Sequence, residues 1–116
     1  MAEAIPAPDA SFDIVTALYL LHELPGRVRR AVAGEIRRVL KPDGTLILVD
    51  SLQTGDEPDY DALLDYFPYA FHEPYYASYL REDFDRLFTP GFLRKTALSA
   101  YFSKVVSYRR DEADSR

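Results

Sequence analysis

The sequence predicts an α/β domain with parallel strands, and three observations support that prediction. The run FDIVTALYLL, Phe12 to Leu21, is almost continuously apolar, which is typical of a strand buried on both faces. Apolar residues then recur every three or four positions from Val28 to Leu40, which predicts a helix with one apolar face. After the turn sequence Lys-Pro-Asp-Gly, a second apolar strand covers Thr45 to Asp50. Strand, helix and strand make a βαβ unit, with parallel strands and a right-handed crossover.

The predicted helix spans Arg27 to Leu40. It stops at Lys41 because Pro42 disfavours helical backbone in the residue before it. Gly44 is the turn residue that can take a positive φ. The helix also carries arginines that we interpret as a solvated face. They are Arg27, Arg29, Arg30, Arg37 and Arg38.

The second half of the chain is predicted to hold short helices and then a hairpin. Asp59 to Phe67 fits a helix with Asp59 as its cap. Leu80 to Phe88 has helical spacing and ends before Pro90. Leu93 to Leu98 and Tyr101 to Arg109 are the strands of the hairpin. As one domain, the chain divides into a lead-in (1–11), a βαβ unit (12–50), a helical aromatic-rich lid (51–91), a β-hairpin (92–110) and a frayed tail (111–116).

Composition argues against several classes of function. The 116 residues carry 14 basic and 19 acidic side chains, a net charge of -5, which argues against a nucleic-acid binder. Without cysteine, the chain has no disulfide framework and no thiolate metal cage. No apolar run is long enough to span a bilayer, and no basic-then-apolar signal segment opens the chain. We therefore expect no membrane partner and a cytoplasmic location.

Polar residues follow both predicted strands. His22 and Glu23 come after the first strand, and Asp50 ends the second. Because ligands bind outside the carboxyl ends of parallel strands, we expect these three side chains to meet a ligand at one rim of the sheet. His22 is a candidate general base. Two plainer interpretations stay open: His22 as a loop residue bonded to the backbone, and Asp50 as a cap of the following segment.

A second candidate cluster lies in the lid, in the sequence from Phe71 to Tyr76. His72, Glu73 and the tyrosines could line a substrate pocket or pack as a lid on the sheet, and we favour a lid that also shapes a pocket. The set His22, Glu23, His72 and Glu73 lacks the helical spacing of zinc ligands, so no metal site is predicted. The glycines never form a GxG arrangement, so no dinucleotide or phosphate loop is predicted either.

Three stretches in the first half of the chain share a pattern with a known family. They are Pro8-Asp9-Ala10-Ser11-Phe12-Asp13-Ile14-Val15, Leu21-His22-Glu23-Leu24 and Glu35-Ile36-Arg37-Arg38-Val39-Leu40-Lys41-Pro42-Asp43-Gly44-Thr45-Leu46. Together they resemble the second half of class I S-adenosylmethionine-dependent methyltransferases, of the type 11 kind. Asp43 stands where the family turn usually has a second glycine-type residue.

This resemblance implies a Rossmann-like methyltransferase half-sheet, with strands four to seven in the order 4-5-7-6 and the aromatic-rich helical insert after strand five. It implies S-adenosylmethionine as cofactor and a small molecule as methyl acceptor. The positions that match the family's cofactor contacts are Ala17, Leu18 and Tyr19 at the end of strand four, with Ala2 and Glu3 in the lead-in. Proton transfer is expected from His22 or His72. Acceptor contacts are expected from Glu23, Asp50, Tyr66, Tyr69 and Tyr75.

Two elements of the family pattern have no counterpart in this sequence: the glycine-rich turn after strand one and the acidic ribose-binding residue after strand two. We therefore expect the carboxyl-terminal half of a methyltransferase, with weak or absent cofactor binding on its own. Strand Phe12–Leu18 would then be an open edge, which attracts another strand. The expected partner is a second copy, paired through that strand, or a missing amino-terminal half. The alternative functions are a non-catalytic assembly module that uses this edge and, after it, a small-ligand binder.

Overall fold

The chain folds into one four-stranded sheet with helices between and after its first two strands. The computed structural model describes residues 2–71, 75–88, 91–100 and 102–110, and of residues 67–71 and 100 the backbone alone. In chain order the elements are β1 (Phe12–Leu18), α1 (Gly26–Val39), β2 (Leu40–Ser51), α2 (Asp61–Phe71), α3 (Tyr76–Leu80), α4 (Phe84–Leu87), β3 (Phe92–Ala100) and β4 (Ser103–Arg110). Two 3-10 turns cover Leu21–Glu23 and Pro58–Tyr60.

The predicted βαβ unit is present. β1 and β2 pair in parallel, and α1 connects them. The helix begins and ends one residue earlier than predicted, because Pro25 and Leu40 at its two ends both have extended backbone. One assignment was wrong: Arg29 is not on a solvated face but is 1% exposed, in the core between α1 and the lid.

The Lys-Pro-Asp-Gly turn corrects a second prediction. It lies within β2 as a bulge, since Leu40 pairs with Phe12 while Thr45 already pairs with Ile14. The residue with positive φ is Asp43, at 63°, and not Gly44. Gly44 is needed for close packing instead: a Cβ there would lie 2.8 Å from the carbonyl oxygen of Lys41, closer than atoms of that kind approach.

The sheet order is β1-β2-β4-β3, with β4 antiparallel to both of its neighbours. The predicted hairpin is therefore present, with β3 running from Phe92 to Ala100 and β4 from Ser103 to Arg110. The order places β4 in the interior and makes β3 an edge strand. Within the described residues, β1 pairs with β2 alone and forms the opposite edge.

The two faces of the sheet differ in burial. On one face, Leu46 and Leu48 are fully buried beneath α1 and α4 in the main hydrophobic core. On the other face, the side chains of β1 and β3 face outward. Ile14 is 59% exposed, and Leu18 and Leu98 are exposed as well. In the described part of the chain this second face therefore exposes apolar side chains at both edges of the sheet.

The helical insert differs from its prediction in two places. Asp59 lies in the 3-10 turn Pro58–Tyr60, and α2 begins after it at Asp61, so Asp59 is not the cap of that helix. Of the single helix predicted for Leu80 to Phe88, the structure has Phe84–Leu87 as α4, while Leu80 is the last residue of α3. The chain breaks between them because Asp83 caps α4, its carboxylate accepting a hydrogen bond from the Arg86 amide at 3.1 Å. Among the described helices, none has the length and apolar character to cross a bilayer.

Candidate active site

The candidate site lies where β1 and β2 end, on the same rim of the sheet. β1 ends at Leu18, and the Tyr19 amide still bonds to the Val49 carbonyl of β2 at 2.7 Å. Tyr19 then takes a φ of 52°, an uncommon conformation for an aromatic residue, and turns the chain away from the sheet. The 3-10 turn that follows carries His22 back toward Asp50 of β2.

Asp50 is a buried carboxylate that organises this rim, with 2% of its surface exposed. One oxygen, Oδ2, accepts a hydrogen bond from the Leu21 amide at 2.9 Å. The other oxygen, Oδ1, accepts from the Ser51 amide at 2.8 Å and lies 2.7 Å from Nδ1 of His22. These bonds offset the cost of burying the carboxylate and hold it in one orientation. Asp50 therefore bonds to the backbone of the turn that carries His22, to the backbone at the end of β2 and to the His22 ring.

His22 is held in one orientation by the same carboxylate. Because a carboxylate oxygen only accepts hydrogen bonds, this contact favours a ring that carries a proton on Nδ1 and, when neutral, keeps a free lone pair on Nε2. The His22 side chain is 15% exposed. Exposed Glu23 places a carboxylate oxygen 3.9 Å from Nε2, so all three polar residues predicted for this rim lie together.

Two tyrosines of α3 form an aromatic wall beside His22. The ring centroids of Tyr76 and Tyr79 lie 5.8 Å and 6.0 Å from that of His22, both edge to face. The hydroxyl of Tyr79 donates to the carbonyl oxygen of Ser51. Burial, and then the negative charge of Asp50, raises the pKa of Tyr79, so this hydroxyl stays a proton donor at neutral pH.

The residues predicted to hold the acceptor are distributed differently. Tyr66 and Tyr75 are exposed, and the backbone carbonyl of Tyr75 accepts a hydrogen bond from Arg29 of α1. The side chain of Tyr69 and the whole of His72 lie outside the described residues. Tyr76 belongs to the lid cluster predicted from Phe71 to Tyr76. Sequence reasoning did not single out Tyr79, although its separation from Tyr76 by three positions in a helix was a signal that both face the same way.

The end of β1 is where the family resemblance predicts cofactor contacts. Ala17 is buried in the core, while Leu18 and Tyr19 are exposed beside the open edge. The Tyr19 hydroxyl reaches Oγ of Ser103 at 2.8 Å. Since the sequence has no glycine-rich turn to hold a nucleotide, the residues present fit one side of a nucleoside ligand and not its whole surface. In the described part of the chain, no cluster of three histidine, aspartate or glutamate residues is arranged to hold a metal ion.

The lead-in is fastened to the last turns of α1 by Arg38. Its guanidinium donates to the carbonyl oxygens of Ile5 and Ala7, both at 2.9 Å, and pairs with Asp9 at 2.8 Å. Glu35 accepts from Arg38 and, through Oε1, from the Ile5 amide at 2.9 Å. Of the two predicted cofactor residues here, Ala2 packs against the core and Glu3 is half-buried.

The Glu35 contacts make the lead-in sensitive to acid. The hydrogen bond from Arg38, and then that from the Ile5 amide, lowers the pKa of Glu35 below its ordinary value. A carboxylate whose pKa is lowered by folding adds stability above its unfolded pKa, about 4.3, and that stability is lost as the pH falls through the lower folded pKa. We expect the amide proton shift of Ile5, followed by NMR, to titrate with a midpoint below that ordinary value. Glu35→Gln should abolish the transition, and a midpoint at the ordinary value would contradict the contact.

Comparison with known proteins bears on the origin of this fold. Residues 1–48 match a family model described as a methyltransferase domain. Over 55 residues, 47% of the chain, the sequence is 49% identical to the uncharacterized methyltransferase YcgJ of Bacillus subtilis, and this stretch is 21% of that protein. The chain is related to the class I methyltransferases.

Longer stretches of the chain align with two other proteins. It is 32% identical to the ubiquinone/menaquinone biosynthesis C-methyltransferase UbiE of Methylobacterium nodulans, over 90% of the chain and 44% of that protein. A crystal structure of a SAM-dependent methyltransferase from Methanosarcina mazei superposes with a TM-score of 0.68 at 19% identity, covering 96% of the chain and 65% of that structure. The mixed α/β fold is therefore that of the methyltransferases, whose cofactor is S-adenosylmethionine. The chain spans less than half the length of these curated relatives.

Proposed function

We propose that this chain supplies the proton-transfer side of an S-adenosylmethionine-dependent methyltransferase that acts on a small molecule. The observation that supports this most strongly is the His22–Asp50 pair, 2.7 Å apart, at the carboxyl ends of two parallel strands. A buried carboxylate that fixes the tautomer of a partly exposed histidine is a recurring arrangement for a general base.

The residues of the rim have different roles in the proposed reaction. Bound S-adenosylmethionine supplies an electrophilic methyl group. Nε2 of His22 takes the proton that the acceptor gives up, and Asp50 stabilises the imidazolium that results. The rings of Tyr76 and Tyr79 shield one side of His22 from water. One relative is named for ubiquinone and menaquinone biosynthesis, so hydroquinones and phenols are the first acceptors to test.

The cofactor is held jointly. The backbone of Ala17, Leu18 and Tyr19 forms one wall, and a glycine-rich turn on polypeptide paired with the β1 edge forms the other. The observed order β1-β2-β4-β3 supports the family numbering in which these strands are four, five, seven and six. On this proposal, cofactor affinity depends on what lies against β1, because this sequence contains no glycine-rich turn.

The tautomer of His22 tests the proposal without knowledge of the acceptor. The chain has two histidines, so His72→Gln leaves His22 as the single imidazole signal. In long-range proton–nitrogen NMR spectra of the neutral ring, we expect Nδ1 to carry the proton and Nε2 to be free. The opposite tautomer would leave no base directed away from Asp50, and the proposed role of His22 would be wrong.

Calorimetry tests the cofactor half of the proposal. We expect no binding of S-adenosylhomocysteine tighter than millimolar by the chain alone. We expect such binding when the amino-terminal part of YcgJ, up to its matching stretch, is fused in front of the chain. A fusion that folds by circular dichroism but does not bind would overturn the shared cofactor site. Tight binding by the chain alone would show that its site is self-sufficient.

A second candidate function is a non-catalytic assembly module. The supporting observation is the open β1 edge, on which Ile14 is 59% exposed and Leu18 is exposed as well. Exposed apolar edge strands pair readily with other strands. The proposed partner is a second copy, joined through Phe12–Leu18, or an amino-terminal methyltransferase half. In the first candidate function, pairing at the β1 edge completes the cofactor site beside His22. In the second, pairing at that edge is itself the function, and His22 has no catalytic role.

A further inference from the structure

Arg29 is the most deeply buried charged side chain among the described residues, and its contacts converge on the candidate site. It is 1% exposed. Nε donates to the Leu21 carbonyl oxygen at 2.9 Å. Nη2 donates to the carbonyl oxygen of Tyr75 at 2.8 Å and to Oγ of Ser78 at 3.0 Å, and Nη1 lies 3.3 Å from Glu82.

Three of these contacts, to Leu21, Tyr75 and Ser78, reach the segments that lie against His22. Leu21 begins the 3-10 turn that contains His22. Tyr75 and Ser78 belong to the start and middle of α3, whose two tyrosine rings face His22. The guanidinium carbon also lies 5.7 Å from the centre of the Tyr79 ring, within range of a cation–π interaction. Arg29 therefore connects the turn that carries the proposed base with the helix that walls it.

The geometry requires arginine rather than a cation of any kind. The planar guanidinium donates from Nε to the turn and from its two terminal nitrogens to the lid, in directions fixed by one rigid group. A lysine ammonium is a single donor point at the end of a flexible chain, so it can reach the lid or the turn but not both. Glu82 balances the buried charge.

We propose that Arg29 is a positioning residue that holds α3 against the Leu21–Glu23 turn and so sets the orientation of His22. The part of this inference that concerns methyl transfer rests on the proposed function. The part that concerns position stands on the contacts alone. It follows that an arginine in the first turn of α1 controls the geometry of a site to which it contributes no reacting atom.

Arg29→Lys tests the proposal, with Arg30→Lys as the matched control. Arg30 is the next residue of the same helix, is exposed, and makes no ion pair with any described residue. In Arg29→Lys we expect a displaced NMR signal of the His22 Cε1 proton, because its position relative to two aromatic rings changes. We expect the Tyr79 and Glu82 amides to exchange with solvent about tenfold faster or more, relative to the Leu48 amide.

The comparison with Leu48 separates positioning from general stability. A purely structural role would speed exchange in β2 by the same factor as in α3 and leave the His22 signal of the folded protein unchanged. That outcome would overturn the proposal, as would an Arg29→Lys spectrum identical to that of Arg30→Lys. If Arg29→Lys does not fold, Ser78→Ala serves as the test of the positioning role. It removes one exposed partner of Arg29 and should move the same signals in the same direction by a smaller amount.

These outcomes are independent of those for the proposed function. A His22 tautomer with the proton on Nε2 would defeat the role as a base while leaving the effect of Arg29→Lys measurable. Conversely, the expected tautomer together with an unchanged Arg29→Lys spectrum would defeat this inference alone.

Discussion

His22→Asn is expected to slow methyl transfer by about 10²–10⁴-fold, the usual contribution of a general base. The asparagine amide nitrogen can take the place of Nδ1 and still donate to Asp50, so the rim should keep its structure. What the variant lacks is a basic atom in the place of Nε2. The rate is measured as release of S-adenosylhomocysteine by the YcgJ fusion, with hydroquinones and phenols as acceptors. Cofactor binding should change little.

Two control variants sharpen this result. Glu23→Gln changes an exposed carboxylate 3.9 Å from Nε2 and should alter the rate little, because Glu23 only borders the proposed base. His72→Gln removes the second histidine predicted to transfer a proton. An unchanged rate in His22→Asn would contradict the proposed mechanism. A large loss of rate in His72→Gln would indicate that the general base is His72 and not His22.

Ile14→Lys is expected to weaken self-association through β1 by about 10²–10⁴-fold. In a two-fold dimer each chain contributes one Ile14, and burying an isoleucine side chain contributes about 1.5–3 kcal/mol. The variant dimer lacks this contribution at two positions, which lowers the association free energy by about 3–6 kcal/mol. Each 1.4 kcal/mol changes the dimer Kd about tenfold. Lysine on an edge strand is also a common means by which natural sheets avoid pairing. Sedimentation equilibrium of the chain and the variant measures the difference.

The sequence of β1 suits antiparallel pairing with its own copy. A two-fold axis at Val15 sets Phe12 opposite the partner's Leu18 and Ile14 opposite the partner's Thr16. Asp13 then faces the partner's Ala17, so no like charges meet. Leu98→Lys is the control, since Leu98 is exposed as well (70%, against 59% for Ile14) but lies on β3, the other edge. A compact monomer at micromolar concentration would exclude the dimer and leave an amino-terminal half as the proposed partner of β1.

The βαβ unit was predictable because its signals are local. The apolar runs at Phe12 and Thr45 and the helical spacing between them are properties of neighbouring residues, and the structure confirms all three elements. The meeting of His22 with Asp50, 28 positions apart, was predictable for a different reason. Parallel strands joined by one crossover bring their carboxyl ends to a common rim, so topology alone places the two residues together.

The lid was not predictable in the same way. The aromatic residues of the lid fit helical spacing in more than one register. The helix predicted from Leu80 onward is interrupted between α3 and α4, because the Asp83 cap competes with the helical hydrogen bonds. The sequence also did not show that the Tyr75 ring is exposed while that of Tyr76 is buried beside His22, because neighbouring side chains point in different directions.

By itself, the sequence determined the fold class, the crossover and the polar pair at the rim, because each follows from neighbouring residues or from a simple rule of topology. Only the tertiary structure decided that Arg29 belongs to the core and that Tyr76 and Tyr79 enclose His22. Those facts depend on contacts of α1 with residues in and next to α3, 46 to 53 positions further along the chain. The segment that packs over an arginine determines whether its side chain faces water or buried carbonyl groups. The sequence around the arginine does not show which segment that is.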